Sequence, residues 1–235
     1  PARTTGCIMQ EPNDDRGTIL RWDDHIVPIL EHPDIHIRDK ALIAVQWELH
    51  AGPSELHQLS FGDVEDWGEF MILNITGSKR PDRSLTICGS MPYLKKWLQA
   101  HPVTELLAAD AEPIENAAPS TPVWTQTQRS EHLSSKQFLT ITERARERAD
   151  VTTEVTLHNI RRSRAKLLAL QIGFTDPSLR ERFGWTANER RNLVEQDEDL
   201  AGLCEDTKPH DPVRCLDCGE WTPSHRSCIW CGTDR

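Results

Sequence analysis

The sequence predicts a mainly α-helical domain with a small antiparallel β-hairpin or sheet, followed by a small cysteine-rich ribbon. Apolar residues recur at helical spacing through much of the chain, and two short strand-like runs flank one polar turn. Near the end stand two Cys-x-x-Cys pairs. The 235 residues, 37% hydrophobic and 27% charged, suffice for one large globular domain or two modest ones.

The first half predicts the order helix, helix, short helix, hairpin, helix between residues 22 and 102. From Arg38 to Leu49 the apolar residues stand at helical spacing, which indicates a buried helix. Residues 53–59 begin with a proline, which suits the first turn of a following helix. Residues 70–75 and 84–88 are strand-like around a polar turn, so they predict a hairpin.

The second half predicts a connector and three more helices. Residues 108–131 are rich in Ala, Pro, Ser and Thr, which is typical of a long connector, and Trp124 offers a local docking point. Helices are expected over residues 134–150, 158–171 and 176–183. No internal repeat is visible in the sequence.

The charge balance gives no chain-wide basic signature of nucleic-acid binding. The chain carries 27 Lys plus Arg against 37 Asp plus Glu, a formal net charge of −10. Any contact with DNA therefore has to be local. Because no apolar run approaches the roughly 20 residues that cross a bilayer, and the start lacks the core of a signal peptide, we expect a cytoplasmic protein without membrane contact.

The spacing of the last cysteines predicts a metal site. Four of the seven cysteines form two pairs, each followed by a glycine: Cys215 with Cys218, and Cys228 with Cys231. This pattern predicts one structural zinc ion in a closed four-thiolate site. Two disulfides are the alternative, which a reducing compartment disfavours. His210 and His225 stand close enough in sequence to compete as ligands.

Five motifs follow one another in order along the chain. They are Arg38-Asp39-Lys40-Ala41-Leu42-Ile43-Ala44, Ala51-Gly52-Pro53-Ser54-Glu55-Leu56, a hairpin with Lys79 at its tip, Leu157-His158-Asn159-Ile160-Arg161, and Phe183-Gly184-Trp185. Together they resemble the catalytic domain of the tyrosine recombinases, the phage integrase family. The resemblance is closest to archaeal, halophile-type integrases that end in a zinc ribbon, and an acidic composition fits that source.

The resemblance implies three parts of the chain. Residues 1–20 are a remnant or linker, residues 21–203 the recombinase-like catalytic domain with its connector at 108–131, and residues 204–235 the zinc ribbon. Only about 20 residues precede the match, so we expect the N-terminal DNA-clamping domain of the family to be missing.

The resemblance also implies roles for individual residues. In that family a tyrosine attacks a DNA phosphate, two arginines hold the phosphate oxygens, a hairpin lysine protonates the leaving hydroxyl, and histidines assist proton transfer. Lys79 matches the hairpin lysine, and His158 with Arg161 matches the His-x-x-Arg pair. Trp185 stands where the family has histidine or tryptophan. Taken singly, each residue has an ordinary structural alternative.

Two positions depart from the family pattern. Gly52 stands where the first arginine is expected, and Leu193 is the best match to the position of the nucleophilic tyrosine. The single tyrosine, Tyr93, matches a structural aromatic on the helix after the hairpin. The sequence therefore predicts a pseudoenzyme without strand-cleaving activity of its own.

Positive charge is concentrated locally in the second half. Residues 161–191 carry eight Arg or Lys against three acids, whereas residues 192–208 carry six acids against one lysine. Together with Arg80 in the hairpin, the predicted DNA-binding residues are Arg162, Arg164 and Lys166. The alternative is an ordinary solvated helix that pairs with the acidic segment.

Three functions stay open at this stage. The first is a non-cleaving protein that binds double-stranded DNA and regulates an active recombinase. The second is an integrase subunit that receives its nucleophile in trans from a related protomer. The third is a protein-interaction module in which the ribbon is the working surface on a relic scaffold.

Overall fold

The chain forms a helical body with a small sheet at its edge and a two-stranded ribbon at its end. The computed structural model describes residues 18–77, 81–172, 177–184, 211–224 and 227–234. Among these residues no helix is both long and apolar enough to span a membrane.

The order of the elements follows the prediction closely. The helices are α1 (Val27–Glu31), α2 (Ile37–Leu49), α3 (Pro53–His57), α4 (Met91–Gln99), α5 (Pro113–Asn116), α6 (Ser135–Arg148), α7 (Leu157–Ile172) and α8 (Pro177–Phe183). The strands are β1 (Val64–Asp66), β2 (Met71–Ile75), β3 (Arg83–Ile87), β4 (Val213–Arg214) and β5 (Trp221–Thr222). A π-helical turn, Trp22–Ile26, leads into α1, and two 3-10 turns cover Phe61–Asp63 and Pro102–Leu106.

Helix α2 is the central element of the body. It packs against α4 and α7 and also contacts α1, α6 and β3. Because neighbours surround it, apolar side chains are buried on more than one of its faces, among them Leu42, Ile43 and Trp47. Its last residue is followed by His50, whose φ of 60° is left-handed and turns the chain toward α3.

The sheet is antiparallel, with β2 between β1 and β3. Along β2, Met71, Leu73 and Ile75 are buried in alternation, as expected for a sheet with one face on the core. Leu73 pairs with Val64 on β1 and with Leu85 on β3. The predicted hairpin is confirmed, whereas β1 was not predicted because its three residues are too short to show a period.

A carboxylate from α2 holds the N-terminus of α4. Glu48 Oε1 accepts hydrogen bonds from the amides of Cys88 at 2.8 Å and Gly89 at 3.2 Å, and Oε2 accepts from the Ser90 amide at 2.7 Å. These amides belong to the turn that leads into α4, which begins at Met91. Glu48 therefore ties this turn to the end of α2.

The connector lies on the body and not away from it. Trp124 is fully buried, and the indole of Trp97 on α4 donates to the Val123 carbonyl at 2.9 Å. The buried His101 accepts from the Val103 amide through Nδ1, and its Nε2 lies 3.0 Å from Thr125 Oγ1. The expected docking at Trp124 is therefore seen in the structure.

We expect the buried His101 to make the fold acid-sensitive. Burial lowers the pKa of His101 to about 4, whereas an imidazole in the unfolded chain titrates near about 6.5. Between these values the unfolded chain binds a proton that the folded chain excludes, so stability falls as the pH drops from about 6.5 to 4. The loss should be on the order of 2 kcal/mol from this residue.

Urea unfolding followed by circular dichroism at pH 8, 6 and 4.5 tests this expectation. The variant His101→Gln should be less stable than wild type at pH 8 but should lose less stability on acidification. A variant that loses as much as wild type between pH 8 and 4.5 would show that His101 does not cause the sensitivity.

Candidate functional site and metal centre

Two of the family motifs, those that contain Arg161 and Phe183, meet where the end of α2 faces α7 and α8. Arg161 on α7 donates through Nη1 to the His50 carbonyl and through Nη2 to the Phe183 carbonyl, the latter at 2.7 Å. Its guanidinium also lies 5.2 Å from the centroid of the Phe183 ring. With only 7% of its surface exposed, Arg161 ties the ends of α2 and α8 to α7.

Gly52 begins helix α3 and has no side chain to offer a phosphate. It is the N-cap residue, and its amide donates to the carboxylate of Glu55 one turn later. Glu55 is buried, and so is the preceding Ala51. The position that matches the first arginine of the family is therefore the N-cap of α3, where the Glu55 carboxylate accepts a hydrogen bond from the Gly52 amide.

The buried partner of Glu55 is Arg83, which the sequence analysis missed. The two side chains form a bidentate ion pair, with Nη1 to Oε1 at 2.9 Å and Nη2 to Oε2 at 3.0 Å. Their exposed fractions are 5% and 4%. Arg83 Nε also donates to the Arg182 carbonyl on α8 at 3.1 Å. A Cβ atom at Gly77 would lie 3.1 Å from the Glu55 side chain, so a larger residue there would press on the ion pair.

His50 is a second buried group without a sequence signal. Its ring lies 4.7 Å from that of Phe183, and neither ring nitrogen has a hydrogen-bond partner among the described residues. Burial lowers the pKa of His50 well below its usual range, and the nearby cations Arg164, Arg182 and Arg161 lower it further. His50 is therefore neutral at physiological pH.

The cations of α7 are less exposed than their charge suggests. Arg164 and Lys166 are buried, and Arg162 is half-buried with a hydrogen bond to Asn159. The Arg164 guanidinium lies 5.6 Å from the centroid of the Trp47 ring. Burial, then Arg182, lowers the pKa of Arg164 to about 10, with Glu48 acting in the opposite direction. Arg164 therefore still carries a positive charge at neutral pH.

His158 occupies the first turn of α7 and is exposed. Arg161, three residues later, is buried. The structure thus separates the predicted pair into one solvent-facing and one core-facing side chain. Four other predicted positions lie outside the described residues: Lys79, Arg80, Trp185 and Leu193.

The four ribbon cysteines converge as the spacing predicts. Cys215 Sγ lies 3.7 Å from Cys231 Sγ, Cys218 Sγ lies 3.6 Å from Cys228 Sγ, and all four sulfurs lie within 4.8 Å of one another. Sulfurs at about 2.3 Å from a tetrahedral metal ion are about 3.8 Å apart, so the geometry fits a four-thiolate site. These distances are far longer than a disulfide bond of about 2.05 Å.

The backbone supports this thiolate cluster. Gly219 and Gly232, one residue after each pair, have φ values of 74° and 78°, which favour glycine. Burial opposes ionisation of Cys228, yet the amides of Cys231 and Trp230 lower its pKa to about 6. His210 and His225 lie outside the described residues.

Solved structures show which class of protein has this fold. A crystal structure of XerA recombinase matches with a TM-score of 0.59 at 17% identity, covering 77% of this chain and 61% of that one. The XerH site-specific recombinase, in a post-cleavage complex with its palindromic difH substrate, gives 0.56 at 20% identity, covering 77% and 50%. A lambda integrase dimer bound to a COC′ core site gives 0.53 at 17% identity, covering 77% and 49%. The helical body therefore has the fold of the tyrosine site-specific recombinases.

The family assignment rests on the sequence match. The profile of the phage integrase family matches residues 23–191, which is more than half of the chain. This chain belongs to the phage integrase family, as its motifs predicted. It spans about half to three fifths of the length of the three recombinases above. No curated protein sequence matches it.

We expect the Glu55–Arg83 pair to be a strong contributor to stability. The variant Arg83→Met leaves the Glu55 carboxylate buried without its partner and should lower the free energy of unfolding by about 3 kcal/mol. The double variant Glu55→Gln with Arg83→Met should recover part of that loss, because no unpaired charge is left.

Urea denaturation at pH 7.5 measures both effects. Arg129→Met, at an exposed position of the connector, is the matched control and should leave stability unchanged. If Arg83→Met is as stable as this control, the ion pair is not a structural requirement.

Proposed function

We propose that this chain binds double-stranded DNA and does not cleave it by itself. The observation that carries the proposal is the state of the two phosphate-clamp positions. Gly52 has no side chain, and its amide is bound by Glu55. Arg161 directs its guanidinium to the carbonyls of His50 and Phe183. A transition-state clamp that lacks one cation and holds the other on backbone carbonyls gives little stabilisation to a developing phosphorane.

The only tyrosine of the chain does not repair the missing nucleophile. Tyr93 is buried on α4 and lines a cleft with Leu30 and Pro223, not with α7. Burial, assisted by the negative charge of Glu31, raises the pKa of Tyr93 well above its usual range. A buried, protonated phenol is a poor nucleophile, which supports a role without strand cleavage.

DNA binding is proposed from the family and from the solvent-facing side of α7. XerH and lambda integrase with the same fold are described in complexes with DNA sites. Here the exposed His158 and the half-buried Arg162 are the α7 residues that we assign to phosphate contact. Lys79 and Arg80, which lie outside the described residues, are proposed as further phosphate contacts from the family resemblance alone. Arg164 and Lys166 add positive potential from beneath the solvent-facing side of α7.

We also propose that the bound metal is zinc. A tetrahedral set of four thiolates suits Zn²⁺, and such a closed site has no open position for a substrate. Cys215, Cys218, Cys228 and Cys231 would hold one ion, whose role is to fold the ribbon.

A protein-interaction role for the ribbon is the second candidate. Leu216, between the first two cysteines, is 100% exposed, which is unusual for a large apolar side chain. On this view the knuckle is a contact point for an active recombinase, while the body supplies the DNA contact.

The DNA-binding proposal predicts a charge-dependent interaction. Binding of the full chain to labelled duplexes, measured by fluorescence anisotropy, should weaken linearly in log affinity against log salt concentration. Arg162→Glu should weaken binding roughly ten-fold or more, because it replaces an attraction by a repulsion at the phosphate backbone.

Arg144→Glu provides the control, since Arg144 is an exposed arginine on a different helix, α6. Equal affinities of the two variants would argue against α7 as the DNA surface. In parallel, a nicked suicide substrate should give no covalent adduct with the chain alone. An adduct on the tyrosine of a recombinase variant that lacks its own phosphate-binding arginines, formed only when this chain is added, would identify the chain as a subunit served in trans.

The zinc proposal predicts one zinc ion per chain. Elemental analysis of the purified protein should give a ratio near one, and Cys228→Ser should lower it strongly. Cys88→Ser removes a thiol outside the cluster and should leave the ratio unchanged. Iron at the same ratio would show that the site selects another metal.

A further inference from the structure

The ribbon is docked on the helical body through β5 and through the turn around its second cysteine pair, Cys228 and Cys231, which we call the second knuckle. Trp221 and Ile229 pack against the main hydrophobic core. A cleft of about 260 Å³ separates Pro223 and Ile229 of the ribbon from Leu30 and Tyr93 of the body. The contact is therefore partly open, with apolar side chains along both sides.

One cation of the body stands beside the metal centre. Lys96 on α4 places Nζ 5.7 Å from the centroid of the Trp230 ring, within the range of a cation–π interaction. The Trp230 amide donates to Cys228 Sγ at 3.4 Å, and its indole donates to the Trp221 carbonyl at 2.8 Å. Trp230 thus contacts Lys96 of the body on one side and the buried Cys228 and strand β5 of the ribbon on the other.

A cation close to such a metal centre would stabilise it. A divalent ion on four thiolates carries a net charge of about −2, and part of that charge lies on the buried Cys228. The described part of the ribbon adds four acids, Asp211, Asp217, Glu220 and Asp234, against Arg214. A cation of the body close to Cys228, such as Lys96, can therefore offset part of this negative charge. Lys40 also lines the cleft, but Glu31 beside it offsets its charge.

We propose that Lys96 is a positioning residue for the metal centre, which it stabilises by offsetting the charge of the thiolate cluster across the docking interface. The inference rests on the proposed four-cysteine site. It goes beyond that site because it makes metal retention depend on the helical body. Release of the ion and undocking of the ribbon then become linked steps, because each removes part of the other's stabilisation.

Metal release from the full chain tests the proposal. The zinc-loaded protein is mixed with a chromogenic chelator, and the rate of transfer is followed by absorbance. Lys96→Met keeps the aliphatic stem and removes the charge, so release should be roughly ten-fold faster than in wild type. Lys96→Arg keeps the charge and should restore slow release.

Lys95→Met is the matched control. Lys95 is the neighbouring residue on α4, but its ammonium group forms an ion pair with Asp66 of β1 at 3.2 Å. This variant should release zinc at the wild-type rate. In addition, raising the salt concentration should speed release from wild type more than from Lys96→Met, because screening weakens only a charge that is present.

The outcomes separate this inference from the metal proposal itself. A chain that binds no metal overturns the four-cysteine site. A chain that holds zinc but releases it equally fast in Lys96→Met and Lys95→Met overturns the role of Lys96. If Lys96→Met does not fold, the salt dependence of release from wild type decides, and its absence contradicts the proposal.

Discussion

The pairing of buried charges around the end of α2 is the constraint on which the rest of the structure depends. A charged group can leave water only if partners in the protein replace its hydration. The Glu48 carboxylate is satisfied by the start of α4, and Glu55 by Arg83 and the Gly52 amide. The Arg161 guanidinium is satisfied by carbonyls. These bonds join α2, α3, α4, α7, α8 and β3 at one point, so the angles between the elements are set there.

The same constraint governs the two positions that match the phosphate clamp of the family, Gly52 and Arg161. A phosphate clamp keeps its N–H donors free for the ligand, whereas a structural arginine uses its N–H donors in hydrogen bonds within the protein. The Arg83 guanidinium donates to the Glu55 carboxylate and to the carbonyls of Arg182 and Pro81. The Arg161 guanidinium donates to two backbone carbonyls. The cluster still produces positive potential, because Arg164 remains charged near neutral pH. Attraction of a polyanion, which we propose for this chain, needs positive potential and not an aimed donor.

Periodic features could be predicted from the sequence, and features made by distant pairs could not. The helix at 37–49, the hairpin and the Cys-x-x-Cys pairs each have a sequence pattern that is visible within a short stretch of chain. All three are present in the structure. Arg83 and Glu55 stand 28 residues apart, and Glu48 reaches amides 40 to 42 residues away. Nothing local marks such pairs. The cations of α7 read as a surface stripe because sequence shows charge but not burial, and two of the three assigned to DNA are buried.

The position of the ribbon follows from the limits of a very small fold. Two strands of two residues each and a pair of knuckles cannot bury enough apolar surface to hold themselves together. A metal ion held by the four cysteines would stabilise the ribbon, and packing of Trp221 and Ile229 on the body also stabilises it. Both effects would act on the second knuckle, which contains the candidate metal ligand Cys228 and the neighbouring Trp230. Metal binding and packing on the body would therefore depend on each other. A cation at Lys96 stands where the two meet. The ribbon is therefore better understood as an extension that packs on the helical body than as a separate module on a tether.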